Sequence, residues 1–303
     1  MADGNGPGGP EESGAQGGRP CLLVLGMHRS GTSALARGLE VFGASLGEEL
    51  LPAHPCNPRG LFEDRDIYAC NKGLLGALGL TWASPAPIAP RLLLELAAAE
   101  AGEAALGLLR AKVEGRDLPA FKDPRFSRLM PFWRPLFASM GLAPRCIIAL
   151  RHPVAVAQSL ARRDGMEPGL AHALWLRYTL DALDGSAGLP RVLLAYERLL
   201  AAPGRELTRV GHALGLRADA GALAGFAGDF LDAGLCHHKA GPADAASGGA
   251  APGHFARLAL RLHAGLEALA AARPEALEDG LEKGRLSRLR RECAQALDAA
   301  AGA

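Results

Sequence analysis

The sequence predicts an α/β fold built on a doubly wound parallel sheet, with helices on both faces and a helical extension at its C-terminal end. Three observations predict it. Four short apolar runs lack polar alternation, as parallel strands covered on both faces do. Segments of helical period lie between them, and this β-α-β-α order implies right-handed crossovers. A glycine-bounded polar loop joins the first run to the first helix, at the strand end where such sheets bind ligands.

The runs are CLLVLG at 21–26, LPAF at 118–121, CIIAL at 146–150 and VLLAY at 192–196. The helical segments are 33–42, 64–77, 91–113, 127–140, 153–163 and 170–183. Residues 1–19 are rich in Gly, Pro and Glu and read as a disordered tail. The main domain spans 20–239. The stretch AGPADAASGGAAPG at 240–253 reads as a linker or mobile loop. Residues 254–303 form a helical segment. One helix there carries Phe255, Leu258, Leu262, Leu266 and Leu269 on one face, and a second carries Leu286, Leu289, Cys293 and Leu297. Such faces suit a hairpin docked on the main domain, or a homodimer contact.

With 33 basic and 32 acidic residues, the chain offers no bulk charge to attract nucleic acid or an anionic membrane. None of its six cysteines forms a CxxC pair, so no zinc framework is expected. Several lie in apolar runs, as in reduced, cytoplasmic proteins. No apolar run approaches the roughly 20 residues of a membrane span, and the first residues have no apolar core of a signal peptide.

The loop Gly26-Met27-His28-Arg29-Ser30-Gly31-Thr32-Ser33 follows a strand and opens a helix. Backbone N–H groups and the helix dipole make such a junction an anion cradle. Thr32 and Ser33 are placed to cap the helix and to donate hydroxyl bonds to phosphate. The spacing is that of a P-loop, but Thr32 stands where the lysine belongs and the cation is Arg29. Arg151 ends the third run, Pro153 suits a helix start, and Ser159 follows eight residues after Arg151. Arg offers a forked donor array that suits phosphate, and Ser adds a hydroxyl.

Arg29-Ser30-Gly31-Thr32-Ser33 resembles the 5′-phosphosulfate loop of sulfotransferases that use 3′-phosphoadenosine 5′-phosphosulfate (PAPS), and Arg151 with Ser159 resembles their 3′-phosphate motif. Lys122-Asp123-Pro124-Arg125, Tyr196-Glu197 and the stretch 57–64 are similar to the bacterial-type members. The resemblance covers roughly residues 21–216. It implies a P-loop-type fold, PAPS as co-substrate, no required metal, and a hydroxyl or amine acceptor on a small molecule, carbohydrate, lipid or peptide.

The resemblance further implies that Arg29, Ser30, Gly31, Thr32, Ser33, Arg151, Ser159 and Tyr196 hold the donor, with Tyr196 on the adenine. It places Lys122 near the sulfonate. The His of cytosolic aryl enzymes is absent from Lys122-Asp123-Pro124, so the base is sought among carboxylates. Glu63, in a loop flanked by apolar residues, is the first candidate. Glu49 is the rival, His28 an outsider, and Asp64 reads as a helix N-cap. Trp82 and Trp133 suit either an acceptor cleft or the core. Two other readings stay open: a P-loop kinase or NTPase, with Asp123 as its metal-binding acid, and a nucleotide binder without catalysis.

Overall fold

The computed structural model describes residues 18–55, 57–230, 253–272 and 276–302. Most of the expected tail, Cys56 and nearly all of the expected linker lie outside the described residues.

Four parallel strands form one sheet: β1 (Arg19–Leu25), β2 (Ala120–Lys122), β3 (Leu142–Leu150) and β4 (Arg191–Ala195), in the order β2-β1-β3-β4. Between β1 and β2 run α1 (Thr32–Gly38) with a 3₁₀ turn, α2 (Arg65–Ala77), α3 (Pro90–Ala97) and α4 (Glu100–Val113). Next come α5 (Phe126–Ser139) before β3, and α6 (Pro153–Asp164) and α7 (Pro168–Gly185) before β4. Then follow α8 (Tyr196–Ala201), α9 (Pro203–Leu214) and α10 (Ala220–Gly225), and finally α11 (His254–Ala271), α12 (Ala276–Glu282) and α13 (Gly284–Ala301).

Strand β1 makes the double winding explicit. Cys21, Leu23 and Leu25 enter a large core with α5, α7 and the C-terminal helices. Leu22 and Val24 enter a smaller core with α1 and α9. Side chains alternate across a strand, and both sets are fully buried, so the uninterrupted apolar run is what a sheet covered on both faces requires.

Several elements depart from expectation. Strand β3 begins at Leu142 and so includes Pro144. Strand β4 pairs only from Cys146 onward, so Pro144 faces β1 alone; a proline is tolerated where one side needs no donor. The single helix expected over 91–113 is two helices, broken after Ala98. Gly102 allows the break, because a Cβ there would lie 1.8 Å from the Ala97 carbonyl oxygen. Gly102→Ala is expected to cost about 2 kcal/mol, the scale of overpacking, read as a lowered urea midpoint at unchanged slope. Lastly, α8, α9 and α10 form helices where the sequence pattern predicts none.

The apolar faces of α11 and α13 turn inward: Leu258, Leu262, Leu266, Leu289, Cys293 and Leu297 share the large core with the sheet. Ion pairs rim this contact. Arg177 of α7 reaches Asp298 at 2.6 Å, Arg191 of β4 reaches Glu278 at 2.7 Å, and Arg290 reaches Asp184 at 2.5 Å. Any self-association through these helices would use other residues.

Candidate active site

The carboxyl ends of all four strands open into one cleft of about 650 Å³, within the range of small-molecule sites. Each strand sends one element to it: the 26–33 loop from β1, Lys122 from β2, Arg151 from β3 and Tyr196 from β4. Arg29, Gly31, Thr32, Ser33, Ser159 and Glu63 also line it, whereas Ser30 lies buried beneath the loop. Arg29, Arg59, Lys122, Arg151, Arg162 and Arg163 face the cleft, and among the described residues Glu63 is the one carboxylate that lines it. Such an excess of positive charge raises the local concentration of anions.

The loop is held tightly. Gly31 is the N-cap of α1 at φ 81°, a left-handed conformation that glycine adopts freely. The Tyr196 ring packs so close that a Cβ on Gly31 would stand 2.1 Å from its Cδ2. Thr32 and Ser33 do not cap the helix; no side chain does. Ser33 instead ties the cleft wall together: its Oγ donates to the Leu61 carbonyl at 3.1 Å and accepts from Asn57 Nδ2 at 2.9 Å.

Arg29 is one of two described non-glycine residues with positive φ, at 67°. Its Nε donates to Ser159 Oγ at 2.8 Å, and its carbonyl accepts from Arg151 Nη1 at 2.8 Å. The Arg151 guanidinium lies 4.7 Å from the centre of the Tyr196 ring, and Trp175 Nε1 donates to the Arg151 carbonyl at 3.0 Å. Ser30 Oγ, Arg151 Nε and His28 Nε2 are buried with no hydrogen-bond partner among the described residues. Buried polar groups are seldom left so.

Lys122 and Glu63 form a buried ion pair at 2.6 Å, with Lys122 Nζ also 3.4 Å from Ser33 Oγ. Burial raises the Glu63 carboxyl above its ordinary range, against the pull of the Lys122 charge. Asp123 is fully buried. Its Oδ1 accepts from the N–H and guanidinium of Arg125, and its Oδ2 accepts from Asn71; a metal-binding role would have to break these bonds. Glu49 lies outside the cleft lining and pairs with Lys112 at 2.8 Å. Asp64 caps α2, accepting from the N–H groups of Asp66 and Ile67. Trp133 is core, its indole N–H bonded to Asn71.

Sequence reasoning did not foresee Asn57 and Arg59 in the cleft, or Arg125 beside Glu63 at 3.9 Å. Their signal lay in the Asn57-Pro58-Arg59-Gly60 turn and in Arg125 following the strand-end lysine. Among the described residues, no group of three or more His, Cys, Asp or Glu side chains is arranged to hold a metal ion, and no helix is long and apolar enough to cross a membrane.

No protein-family model and no curated protein sequence matches the chain. Among solved structures it is similar to the sulfotransferase domain from the Synechococcus PCC 7002 olefin synthase, at 20% identity and a TM-score of 0.46, over 84% of this chain and 98% of that one. It is also similar to the sulfotransferase domain from the curacin biosynthetic pathway, at 14% identity and a TM-score of 0.41, over 91% of this chain and 96% of that one.

Proposed function

We propose that the protein is a sulfotransferase that moves a sulfonate group from PAPS to an acceptor hydroxyl. One observation supports the reading: the cleft brings the N-terminus of α1 with its loop together with the Arg151–Ser159 corner, and Arg29 touches both. A donor with a 5′-phosphosulfate and a 3′-phosphate needs two anion sites; a nucleoside diphosphate needs one.

PAPS supplies a sulfonate on a phosphate leaving group. Arg29, Ser30, Gly31, Thr32 and Ser33 hold the 5′ end, Arg151 and Ser159 hold the 3′-phosphate, and Tyr196 offers a face for the base. Glu63 takes the proton of the acceptor hydroxyl. The acceptor oxygen then forms the new S–O bond as the bond to the bridging phosphate oxygen breaks and leaves its electron pair there. Protonating Glu63 removes the partner of Lys122, so the Lys122 charge is released as negative charge arrives on the leaving oxygen. Arg29 adds to this stabilisation, and such preorganised charge supplies most of the catalysis in group transfers of this kind.

The test is ligand-induced stabilisation. At a hundredfold excess over its Kd, 3′-phosphoadenosine 5′-phosphate should add about 2.7 kcal/mol of stability. In a chain of this size that raises Tm by roughly 4 °C. ADP, lacking the 3′-phosphate, should give clearly less; equal shifts would overturn the reading. A gain of labelled sulfonate on extract components supplied with labelled PAPS, read by mass spectrometry, tests the transfer itself.

A further inference from the structure

The two carboxylate oxygens of Glu63 have unequal settings. Oε1 accepts from Lys122 Nζ at 2.6 Å. Oε2 lies 3.9 Å from Arg125 Nη1, past the reach of a hydrogen bond. Glu63 lines the cleft, and Lys122 is bonded to it through the other oxygen, so Oε2 is the better placed to meet an incoming hydroxyl.

The gap to Arg125 is held from the far side. Asp123 is fully buried, and its Oδ1 accepts from both the backbone N–H and Nη1 of Arg125, each at 2.9 Å. Its Oδ2 accepts from Asn71 Nδ2 at 3.0 Å, and Asn71 Oδ1 accepts from Trp133 Nε1 at 2.8 Å. Asn71 and Trp133 are fully buried as well, so this chain of bonds is anchored in the core. The Arg125 guanidinium also lies 4.6 Å from the centre of the Tyr68 ring. An approach by roughly 1 Å would bring Nη1 to the ~2.8 Å of a charge-assisted bond with Oε2. Glu63 would then be paired with a cation at each oxygen, and a carboxylate so paired is a poor base.

We infer that Asp123 is a positioning residue that holds Arg125 back from Glu63, keeping Oε2 open to the acceptor hydroxyl, and that Asn71 and Trp133 fix Asp123 in turn. The inference rests on the sulfotransferase reading, in which Glu63 takes the acceptor's proton. That proton passes to Oε2, and its electron pair stays on the oxygen that attacks sulfur. Asp123 acts by charge as well as by position: its carboxylate raises the proton affinity of Glu63, whereas Lys122 and Arg125 lower it. His28 and Arg29 of the loop, Arg59, Tyr68 of α2 and Arg163 of α6 line the cleft or its continuation beside Glu63. Burial keeps His28 uncharged, and arginines hold their charge throughout the working range.

Carboxyl NMR on the full chain, with isotope-labelled glutamate, reads the Glu63 proton directly; the signal lost in Glu63→Gln identifies it. Asp123→Asn, which weakens the hold on Arg125, should lower the Glu63 titration midpoint by about one pH unit or more, the scale of a newly paired opposite charge. Arg125→Met should raise it. The double variant Asp123→Asn, Arg125→Met should return the midpoint to within about half a unit of the wild-type value. A packing role alone would not be reversed by removing Arg125. Affinity for 3′-phosphoadenosine 5′-phosphate should stay within about threefold in all three variants. An unchanged midpoint in Asp123→Asn, or a fall that Arg125→Met does not reverse, overturns the inference while nucleotide binding stands. Should Asp123→Asn fail to fold, Arg125→Met decides alone, and an unchanged midpoint there overturns it. If the wild-type chain binds no nucleotide, the sulfotransferase reading falls and the assignment of Oε2 to an acceptor falls with it.

Discussion

Arg151→Ala should weaken binding of 3′-phosphoadenosine 5′-phosphate about 100-fold, the loss of one forked, charge-assisted contact worth ~2.7 kcal/mol. The guanidinium is already in place before any ligand arrives. It rests on the Tyr196 ring, its Nη1 is bound to the Arg29 carbonyl, and its backbone is fixed by Trp175. Little side-chain entropy remains to be lost on binding, so most of the contact energy reaches affinity. Arg151→Lys should recover only part, since an ammonium lacks both the fork and the flat face. The control is adenosine 5′-phosphosulfate, which has no 3′-phosphate; its affinity should change less than about threefold. Equal losses for the two nucleotides, measured by calorimetry, would show that Arg151 supports the loop and does not read the 3′-phosphate.

Glu63→Gln should lower kcat by about a thousandfold with KM changed only a few fold, within the scale of general-base catalysis. Glutamine keeps an oxygen for Lys122 to donate to, so the local packing survives while the proton acceptor is lost. The pH profile gives a second readout. Burial raises the folded Glu63 carboxyl above its ordinary range, and only the ionised form can take a proton. The acidic limb of kcat/KM should therefore lie above the usual carboxylate value near ~4.3 and should vanish in the variant. Stability moves the other way. The folded chain holds this proton more tightly than the unfolded chain, so this group's contribution falls as pH rises from the ordinary value to the raised one. Retention of the limb in Glu63→Gln would remove Glu63 as the base.

Local and non-local features of the site differ in how far the sequence exposes them. The 26–33 loop and the Arg151–Ser159 spacing are visible because each lies within one strand–turn–helix unit, where glycine, proline and a cation mark the geometry. The strand ends gather at one rim for the same reason, since a parallel sheet leaves no other arrangement. The Lys122–Glu63 pair joins residues 59 apart in sequence, and no local pattern encodes such a contact. Ser33 misled because a hydroxyl at a helix start usually caps it; here Asn57 and Leu61 claim it first. The break between α3 and α4 was hidden for a different reason. It falls at Ala98 and Ala99, good helix formers, and is imposed by packing around Gly102.

The inward faces of α11 and α13 also set the order of events during synthesis. The sheet and α7 are made well before the helices that cover them. At roughly 5–20 residues per second, the outer side of α7 waits on the order of ten seconds for α13. Throughout that interval Arg177 and Arg191, side chains 7% and 1% exposed in the finished fold, lack the carboxylates of Asp298 and Glu278. Unpaired positive charge on a face otherwise rich in leucine would oppose its association with another nascent chain. The same arginines that later rim the docked helices thus guard the unfinished core until its cover arrives.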